Sequence, residues 1–546
     1  MIQSTMMSYE LTLTHFLDRA ERYFRNTEIV SRMPDKTLHR YTYQIFVKRA
    51  KQLAGALAKA GLKPGDRVAT LMWNHYAHLE AYFGIPAQGG VMHTLNLRLP
   101  PKEIAYIANH AQDRFLIIDD VLLPLLKTFE ADAKFERVFV VPLTGQPVDT
   151  SSGYENYENF LESGYGSYTP VHIHENDPAA MCYTSGTTGR PKGVVYSHRA
   201  LVLHSLVEVM QDALNLSNRD TVCPVVPMFH VNSWGIPFAA TMVGAKQVYP
   251  GPHLDPESLL DLYSAEGVTV TAGVPTIWLG IAQALEKQPN TWNVSGLRMA
   301  VGGAAMPEGV MRRLESQGCV VLHAWGMTET SPLGSAAFIK RTLADRSEDD
   351  VYTWKAKQGI AVPFVDVRIT REDGEAPWDG QTMGELEVRG PWIAGAYYDM
   401  PDAVTSFTED GWFRTGDIAT IDEEGYIEIK DRSKDLIKSG GEWISSVALE
   451  NALMGHEAVA EAAVVAIPDP KWQERPLAAV VLKPGASATV EELAAILSDH
   501  FPKWYVPEHI VFVDEIPKTS TGKFMKAQLR ERFRDIAGSD QPAAMP

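Results

Sequence analysis

Short apolar runs alternate with stretches of helical periodicity from Arg67 to about residue 340. The apolar runs predict buried strands, and the stretches between them predict helices. A helix is the usual connection between parallel strands, so this alternation favours an α/β fold in which helices flank largely parallel sheets. Ligands in such folds bind beyond the carboxyl ends of the strands. Strands are predicted at 67–73, 115–118, 138–141, 221–226, 268–272, 297–301 and 320–323, with helices at 256–265, 275–287 and 307–317.

The pattern changes near residue 360, where helical periodicity gives way to short strands and turns. Two of the turns consist of acidic residues followed by glycine, at 372–374 and 423–425. Closely spaced short strands with such turns predict an antiparallel meander or a small β-barrel. These strands are predicted at 365–370, 384–390, 417–421 and 426–429.

A polar run at 431–435 precedes the last group of predicted helices and strands. The chain has 546 residues, which is too long for a single core. We therefore predict an N-terminal domain at 1–431 that contains two α/β subdomains and a small β-barrel at about 355–431. A small, mobile α+β domain is predicted at 432–546.

The composition excludes some classes of partner. The formal net charge of −18, with no run of five or more basic residues, argues against nucleic acid and gives no support for docking on an anionic membrane. No apolar run approaches the roughly 18 residues of a spanning helix, so no integral membrane segment is expected. The three cysteines, Cys182, Cys223 and Cys319, are widely spaced and form no zinc motif. These features predict a soluble protein of a reducing compartment, the cytoplasm.

The stretch 183–193 reads Tyr-Thr-Ser-Gly-Thr-Thr-Gly-Arg-Pro-Lys-Gly. It follows a predicted strand at 179–183 and precedes a helical pattern at 199–215. Backbone N–H groups, hydroxyls and an ammonium in one loop suit a polyanion. The Gly-Lys-Ser/Thr ending of the common nucleotide loop is absent, so we expect neither kinase-like nor ATPase-like chemistry. The candidate phosphate-binding residues are Thr184, Ser185, Gly186, Thr187, Thr188 and Lys192.

The order Thr-Ser-Gly-Thr-Thr-Gly-x-Pro-Lys-Gly resembles the signature of the adenylate-forming superfamily, which comprises acyl-CoA synthetases, peptide synthetase adenylation domains and luciferases. The stretch 323–332, His-Ala-Trp-Gly-Met-Thr-Glu-Thr-Ser-Pro, resembles the adenine-binding and magnesium motif of the same superfamily. This resemblance implies that Thr328 contacts the α-phosphate and that Glu329, together with Thr184, holds Mg²⁺. One carboxylate suits Mg²⁺ when phosphates and water complete its octahedron.

The resemblance also implies the rest of the nucleotide site. Asp417, in Trp-Phe-Arg-Thr-Gly-Asp at 412–417, matches the aspartate that binds both ribose hydroxyls. A carboxylate suits that task because it accepts hydrogen bonds without donating any. Arg432 matches the arginine that binds ribose and phosphate. The other residues expected around the nucleotide are Gly303, Ala304, Ala324, Trp325, Gly326, Met327 and Ile429.

Two features of the C-terminal part resemble moving elements of the superfamily. Lys434 matches the hinge, and the loop that follows borders the tunnel for the pantetheine arm of CoA in thioester-forming members. Lys523, in Pro-Lys-Thr-Ser-Thr-Gly-Lys at 517–523, matches the mobile catalytic lysine. A carboxylate and a phosphate repel each other when one attacks the other, and a movable ammonium relieves that repulsion. The candidate residues of the loop are Lys438, Gly440, Gly441, Glu442 and Trp443.

The stretch 226–238, here called the gate segment, reads Val-Pro-Met-Phe-His-Val-Asn-Ser-Trp-Gly-Ile-Pro-Phe. It resembles the part of fatty-acyl-CoA synthetases in which a tryptophan closes the acyl tunnel until ATP binds. Its apolar residues suit an aliphatic chain, and it offers no acid to pair with the ammonium of an amino-acid substrate. The acyl pocket implied by the resemblance consists of His230, which is also a catalytic candidate, with Val231, Trp234, Gly302 and Gly326.

The resemblance covers about residues 40–530 and points to bacterial medium- and long-chain fatty-acyl-CoA ligases. We therefore predict an ATP-dependent fatty-acid–CoA ligase. It would form acyl-AMP, release pyrophosphate and pass the acyl group to CoA after rotation of the C-terminal domain. ATP, Mg²⁺ and CoA are the expected ligands, and relatives suggest a homodimer.

Other interpretations remain open. One is a ligase for a short or sulfur-containing acid, such as a methylthioalkanoate, because ligases for such acids share the gate segment. Another is adenylation followed by transfer to a different acceptor. A nucleotide-binding protein without catalysis is disfavoured because the polar residues of the reaction are all present, namely Lys192, Glu329, Asp417, Arg432 and Lys523.

Overall fold

The computed structural model describes residues 4–184, 190–439, 442–518 and 524–536. At Glu442 and Asp535 the description covers the backbone alone. Several residues predicted for the site therefore lie outside the described residues, namely Ser185, Gly186, Thr187, Thr188, Gly440, Gly441 and Lys523.

The strands are numbered in chain order. They are β1 Glu28–Arg32, β2 Leu38–Thr42, β3 Arg67–Leu71, β4 Val91–Thr94, β5 Asp113–Asp119, β6 Arg137–Val141, β7 Glu155–Asn156, β8 Pro178–Tyr183, β9 Gly193–Ser197, β10 Thr221–Pro224, β11 Lys246–Tyr249, β12 Val270–Gly273, β13 Arg298–Val301, β14 Val320–Gly326, β15 Leu333–Ala336, β16 Ile360–Ala361, β17 Asp366–Arg371, β18 Gly374–Glu375, β19 Gly384–Arg389, β20 Phe413–Ile421, β21 Ile427–Arg432, β22 Ile437–Ser439, β23 Glu442–Ile444, β24 Val459–Asp469, β25 Gln473–Leu482 and β26 His509–Phe512.

The α-helices are numbered in the same way. They are α1 Thr14–Tyr23, α2 Tyr43–Lys59, α3 Tyr76–Ala87, α4 Pro101–Ala111, α5 Leu123–Lys127, α6 Tyr157–Ser163, α7 His198–Glu208, α8 Ile236–Val243, α9 Pro256–Glu266, α10 Pro275–Lys287, α11 Glu308–Ser316, α12 Glu348–Lys355, α13 Ser446–Met454, α14 Val490–His500 and α15 Lys526–Arg532.

Two large sheets form the first part of the chain. The first sheet has seven strands in the order β7-β6-β5-β3-β4-β8-β9, and only its β8–β9 pair is antiparallel. The second sheet has nine strands in the order β16-β15-β14-β13-β12-β10-β11-β1-β2 and is parallel from β14 to β1. Helices connect most of these strands, so the predicted α/β class is confirmed.

Two smaller sheets follow. The third sheet has five antiparallel strands in the order β18-β17-β19-β20-β21, at the place of the predicted meander. The C-terminal sheet contains β23, β22, β25 and β24, with β26 parallel to β25. Helices α13 and α14 pack against this sheet around a separate apolar core. The predicted architecture of a large N-terminal part and a small α+β unit is confirmed, whereas the boundary at residue 431 stays a prediction.

Local signals explain many element boundaries. Helix α9, for example, begins with Pro256 at its first turn, and the Asp255 carboxylate accepts a hydrogen bond from the backbone N–H of Ser258. It ends at Gly267, whose left-handed conformation suits a residue without a side chain. These signals lie within a few residues of the helix ends, which is why 256–265 is predicted to within one residue.

The phosphate-loop stretch differs from the sequence expectation. We predict a strand, the loop and then a helix, but the loop is followed by strand β9, which pairs antiparallel with β8 from Tyr183 to Ser197. The β-branched and aromatic run Gly193–Ser197 favours a strand over a helix. Helix α7 consequently begins at His198 and ends at Glu208 rather than at residue 215.

The beginning of the chain contributes to the second sheet. Strands β1 and β2 form an antiparallel pair that joins β11 through parallel pairing of β1. The helices that follow, α2 and α3, pack against the first sheet in one continuous core, and every residue of α3 is buried. The N-terminal residues thus tie the two large sheets together. Among the described residues, no helix is both long and apolar enough to cross a bilayer.

Candidate functional site

Backbone and side-chain bonds close the base of the phosphate loop. The N–H of Thr184 donates to the carbonyl of Lys192 at 2.9 Å, and the N–H of Lys192 donates to Thr184 Oγ1 at 3.0 Å. These bonds extend the β8–β9 pair to the last residue before the undescribed stretch and the third residue after it. The loop therefore projects from a strand hairpin, with Thr184 and Lys192 fixed opposite each other.

The Lys192 ammonium lies against a tyrosine that the sequence does not single out. Lys192 Nζ is 4.5 Å from the ring centroid of Tyr397 and 3.5 Å from Ser406 Oγ. The Tyr397 hydroxyl donates a hydrogen bond to Glu329 Oε1 at 2.6 Å. The predicted phosphate lysine and the predicted magnesium carboxylate are thus connected through one side chain.

Thr328 and Glu329 occupy a single 3₁₀ turn, Thr328–Thr330, that follows β14. Both side chains are buried. The Tyr196 hydroxyl of β9 donates to the carbonyl of Thr328 at 2.7 Å, and the N–H of Ala394 donates to the carbonyl of Glu329 at 2.8 Å. The turn is therefore held by two elements that are distant in the sequence.

The Asp417 carboxylate contacts two other residues that are predicted for the site. Its Oδ1 accepts from Arg432 Nε at 2.9 Å, and its Oδ2 accepts from the indole Nε1 of Trp325 at 3.0 Å. Asp417 and Arg432 are paired residues of neighbouring strands β20 and β21. Because Trp325 lies in β14, three residues before Thr328, this cluster is continuous with the Thr328–Thr330 turn.

The residues predicted to enclose adenine lie at the ends of two neighbouring strands of the second sheet. Gly302, Gly303 and Ala304 follow β13, and the neighbouring strand β14 ends with Ala324, Trp325 and Gly326, followed by Met327. A methyl group at Gly326 would stand 1.9 Å from the carbonyl oxygen of Pro332, so only glycine fits there. Both segments lie at the carboxyl edge of the sheet, where such folds bind ligands.

Ile429 belongs to the third sheet. It pairs with Ala419, and its N–H donates to Gln358 Oε1 at 2.6 Å. Ile429 lies three residues before Arg432, the partner of Asp417 on the neighbouring strand. Its proximity to the Asp417 cluster is consistent with the predicted nucleotide surface, and its role stays a prediction.

The gate segment contains a left-handed turn. Asn232, Ser233 and Trp234 have φ values of 51°, 51° and 58°, and Val231 and Gly235 on either side are also positive. Each non-glycine residue in this conformation costs about 1–2 kcal/mol. The Trp234 indole ends 3.1 Å from where a methyl group on Gly302 would lie. The turn thus places Trp234 against the predicted acyl and adenine backbone.

Buried polar groups anchor the gate segment at its beginning. The Asn74 amide donates to the carbonyls of Pro224 and Val226 at 3.1 and 2.9 Å, and its oxygen accepts from the N–H of Met228 at 2.7 Å. The Tyr82 hydroxyl also donates to the carbonyl of Met228. His230 follows directly, with its N–H bonded to the carbonyl of Pro227 at 3.0 Å.

The residues predicted on the CoA side lie in the C-terminal unit. Lys434 is exposed in the turn between β21 and β22, and Lys438 pairs with Trp443 across β22 and β23. The Tyr505 hydroxyl donates to the carbonyl of Trp443 at 3.0 Å. Within the described part of the chain, no hydrogen bond joins Lys438 or Trp443 to the Glu329 or Asp417 clusters. The side chain of Glu442 lies outside the described residues.

The donor set around Glu329 decides which kind of metal site is compatible with it. No group of three or more His, Cys, Asp or Glu side chains that could hold a metal occurs among the described residues. Glu329 is instead a single buried carboxylate. Such a ligand fits Mg²⁺ when phosphate oxygens and water supply the other positions, as in nucleotide sites.

Several side chains named above are not predicted from the sequence, among them Tyr397, Tyr196, Ser406, Asn74, Tyr82 and Gln358. Each contacts a predicted residue or segment through the fold, and each lies outside the motifs described above. The one local signal is a pair of tyrosines, Tyr397 and Tyr398, in an irregular stretch between strands of the third sheet.

Comparison with known proteins finds a family and several enzymes that are similar to this chain. The family described as "AMP-binding enzyme" matches residues 16–398, and its "C-terminal domain" matches residues 448–523. A long-chain-fatty-acid–CoA ligase of Thermus thermophilus is 53% identical over 538 residues, 98% of each chain. A 3-methylmercaptopropionyl-CoA ligase of Ruegeria lacuscaerulensis is 42% identical, covering 97% of this chain and 98% of that protein.

A solved structure has the same fold. The anthranilate CoA ligase AuaEII in complex with anthranoyl-AMP superposes with a TM-score of 0.85 at 24% identity, covering 98% of this chain and 99% of that one. The likeness extends over both the large N-terminal part and the small C-terminal unit.

Proposed function

Because this chain belongs to the family of AMP-binding enzymes, we propose that it is an AMP-forming acid–CoA ligase that acts on fatty acids. The observation that supports the proposal is that two clusters of side chains lie next to each other. Lys192, Tyr397 and Glu329 form one, and Trp325, Asp417 and Arg432 form the other. Such a site offers a cation to phosphates, a carboxylate to the Mg²⁺ that would accompany them, and a second carboxylate to ribose hydroxyls.

The first half of the reaction joins the acid to AMP. A carboxylate oxygen of the acid attacks the α-phosphorus of ATP, and the bond between that phosphorus and the bridging oxygen of pyrophosphate breaks. We assign ribose binding to Asp417, α-phosphate contact to Thr328 and the departing phosphates to Lys192. Glu329 and Thr184 would hold Mg²⁺, which when bound neutralises phosphate charge. The protein otherwise contributes positioning and electrostatic stabilisation.

The second half transfers the acyl group. The CoA thiol attacks the acyl carbonyl, its proton is lost, and AMP leaves with the electrons of the anhydride bond. We propose that the C-terminal domain, 432–546, turns about Lys434 between the two halves. Lys523 would serve the first half, and the segment 438–443 would serve the second.

The acid is proposed to be aliphatic. Trp234 packs against two apolar clusters, one of which consists largely of alanine, valine and leucine side chains behind the gate segment. The Thermus relative is named for long-chain fatty acids. The second candidate is a short sulfur-containing acid, which the name of the 42% identical Ruegeria protein favours.

We also propose that the protein is cytoplasmic and forms a homodimer. Three buried free cysteines support the cytoplasmic location.

A screen of acids tests the proposal. Purified protein with ATP and Mg²⁺ is given straight-chain acids from short to long, and 3-(methylthio)propanoate, with and without CoA. We expect pyrophosphate and AMP, with acyl-CoA only when CoA is present, and the preferred acid decides between the two candidates. Formation of ADP and phosphate without AMP from every acid would contradict the proposal.

The Lys523 assignment predicts a separation of the two halves. Lys523→Ala should abolish formation of acyl-AMP while leaving attack of CoA on supplied acyl-AMP within about threefold of wild type, because the ammonium acts on the charged phosphorus. Lys518→Ala is the matched control, since Lys518 pairs with Glu461 within the C-terminal unit. Equal loss of both halves in Lys523→Ala would show that its role is structural.

A further inference from the structure

Tyr397 contacts two charged groups of the proposed site, the Lys192 ammonium predicted to bind phosphates and the Glu329 carboxylate predicted to hold Mg²⁺. Its hydroxyl donates to Glu329 Oε1 at 2.6 Å, and its ring centroid lies 4.5 Å from Lys192 Nζ. The side chain is buried, with 9% of its surface exposed. Resting on the proposed function, we propose that Tyr397 is a positioning residue that sets the Glu329 carboxylate and the Lys192 ammonium for magnesium-bound ATP.

The backbone on both sides of Tyr397 supports this role. The N–H of Ala394 donates to the carbonyl of Glu329 at 2.8 Å, and the N–H of Tyr398 donates to the carbonyl of Gly193 at 2.9 Å. The segment 394–398 therefore bridges the turn that carries Glu329 and the strand that follows Lys192. Tyr397 stands between these two bonds, so its position is set by the same elements that it connects.

In the contact between Tyr397 and Glu329, the phenol hydroxyl is the donor and the carboxylate is the acceptor. A phenol can only donate to a carboxylate that is ionised, because that carboxylate has no proton to give. The bond occupies Oε1 of Glu329 and orients the carboxylate so that Oε2 is favoured for a cation.

The contact with Lys192 preserves the charge that phosphate needs. A carboxylate partner would neutralise the ammonium, whereas the face of an aromatic ring attracts it without cancelling its charge. The hydroxyl of Ser406, 3.5 Å away, is likewise neutral. Tyr397 therefore holds Lys192 in place and leaves its positive charge available for an incoming polyphosphate.

Substitution separates the two contacts. Tyr397→Phe keeps the ring over Lys192 and removes the bond to Glu329, whereas Tyr397→Leu removes both. The matched control is Tyr352→Phe in helix α12, because the Tyr352 hydroxyl also donates to a carboxylate, Glu315 Oε2, at 2.5 Å and its ring also faces a lysine at 5.0 Å. All variants are made in the full chain.

Calorimetric binding of ATP is measured first, with Mg²⁺ and with EDTA. We expect Tyr397→Phe to lower the affinity for ATP about tenfold with Mg²⁺ and to leave the affinity in EDTA within about twofold. Tyr397→Leu should lower both affinities, and Tyr352→Phe should change neither. The inference is overturned if Tyr397→Phe binds ATP like wild type under both conditions, or loses affinity equally under both.

Half-reactions give the second readout. Tyr397→Phe should slow pyrophosphate release about tenfold and raise the free Mg²⁺ needed for half-maximal rate, yet leave attack of CoA on supplied acyl-AMP unchanged. Equal slowing of both halves would indicate a merely structural role and overturn the inference. If wild type releases no pyrophosphate with any acid, the proposed function fails, while the calorimetric comparison still decides the role of Tyr397.

Discussion

At the scale of single residues, the site depends on carboxylates that already have partners. Asp417 accepts hydrogen bonds from both Trp325 and Arg432, which hold its two oxygens before any ligand binds. Hydrogen bonds from N–H groups to a carboxylate are stronger than those between neutral groups. The hydrogen bonds therefore set the orientation of Asp417, so the ribose proposed to bind there would meet acceptors that need little reorganisation.

Removing the indole N–H should weaken nucleotide binding alone. We expect Trp325→Phe to raise the KM for ATP about fivefold, because one hydrogen bond contributes about 1 kcal/mol. The kcat should change little, since the ribose lies away from the reacting phosphorus. Pyrophosphate release at varied ATP measures both constants. The matched control is Trp392→Phe, whose indole N–H instead donates to the carbonyl of Leu333 at 3.0 Å; an equal rise of KM there would contradict the assignment.

At the scale of elements, the left-handed turn of the gate segment needs support from its neighbours. Ser233 Oγ donates to the carbonyl of Val226 at 2.8 Å, and Asn74 fixes the residues just before the turn. A strained backbone persists where the surrounding structure over-determines it, and such places are common in switch regions. The anchoring of 224–228 thus provides a rigid base for the turn that carries Trp234.

Substitutions of Asn74 and of Tyr82, which both bond to the gate segment, should destabilise the protein to different extents. Asn74→Ala removes three hydrogen bonds to buried backbone groups, so we expect a loss of about 3 kcal/mol in the free energy of unfolding and a higher KM for the acid. Tyr82→Phe removes one hydrogen bond to the same segment and should cost about 1 kcal/mol. Urea unfolding measures the free energy of unfolding, and assays at varied concentrations of the carboxylic acid substrate measure its KM. Equal effects of the two variants would show that Asn74 does not hold the segment.

At the scale of the whole molecule, buried polar contacts join the third sheet to the C-terminal unit and continue inside that unit. Asp431 accepts from both the N–H and the hydroxyl of Ser446 across the predicted hinge, and Lys526 pairs with Glu450 at 2.7 Å. Burial raises the pKa of Glu450 to about 7, against the opposing charge of Lys526. Lys526 is attracted electrostatically to both Glu450 and Asp431, so one ammonium stabilises the charged form of two buried acids.

Buried histidines predict loss of stability in acid. Burial lowers the pKa to about 3 for His78 and His204 and to about 4 for His198 and His323. In the unfolded chain histidine has a pKa of about 6.5, so that state binds more protons below this pH. Stability should therefore fall as the pH falls from about 6.5 toward 4, by about 1.4 kcal/mol per pH unit for each histidine.

Melting temperatures between pH 7.5 and 5 measure this effect. His323→Gln should reduce the fall in melting temperature with falling pH by the contribution of one histidine. Glutamine can still donate to the carbonyl of Ala356 but takes up no proton. The matched control is His500→Gln, which changes an exposed histidine and should leave the slope as in wild type. A decline equal in wild type and His323→Gln would contradict the assignment.

Much of the fold was predictable because its signals are local. The alternation of apolar runs and helical stretches identifies the parallel sheets, and the turn residues after 360 identify the antiparallel third sheet. The strand β9 was missed because a five-residue run before a helix carries a weak signal, and the β1–β2 pair was missed because its partner β11 is more than 200 residues away. Pairing over such distances depends on packing, not on periodicity.

The sequence by itself determined the family and the α/β class and predicts the polar groups that would handle ATP, since contiguous motifs carry that information within about ten residues. Only the tertiary structure decided which of those groups touch. Tyr397 lies 68 residues from Glu329, and Asn74 lies 154 residues from Met228. The contacts between them exist because separate sheets pack at one edge, and the free energy of that packing is a property of the whole chain rather than of any segment.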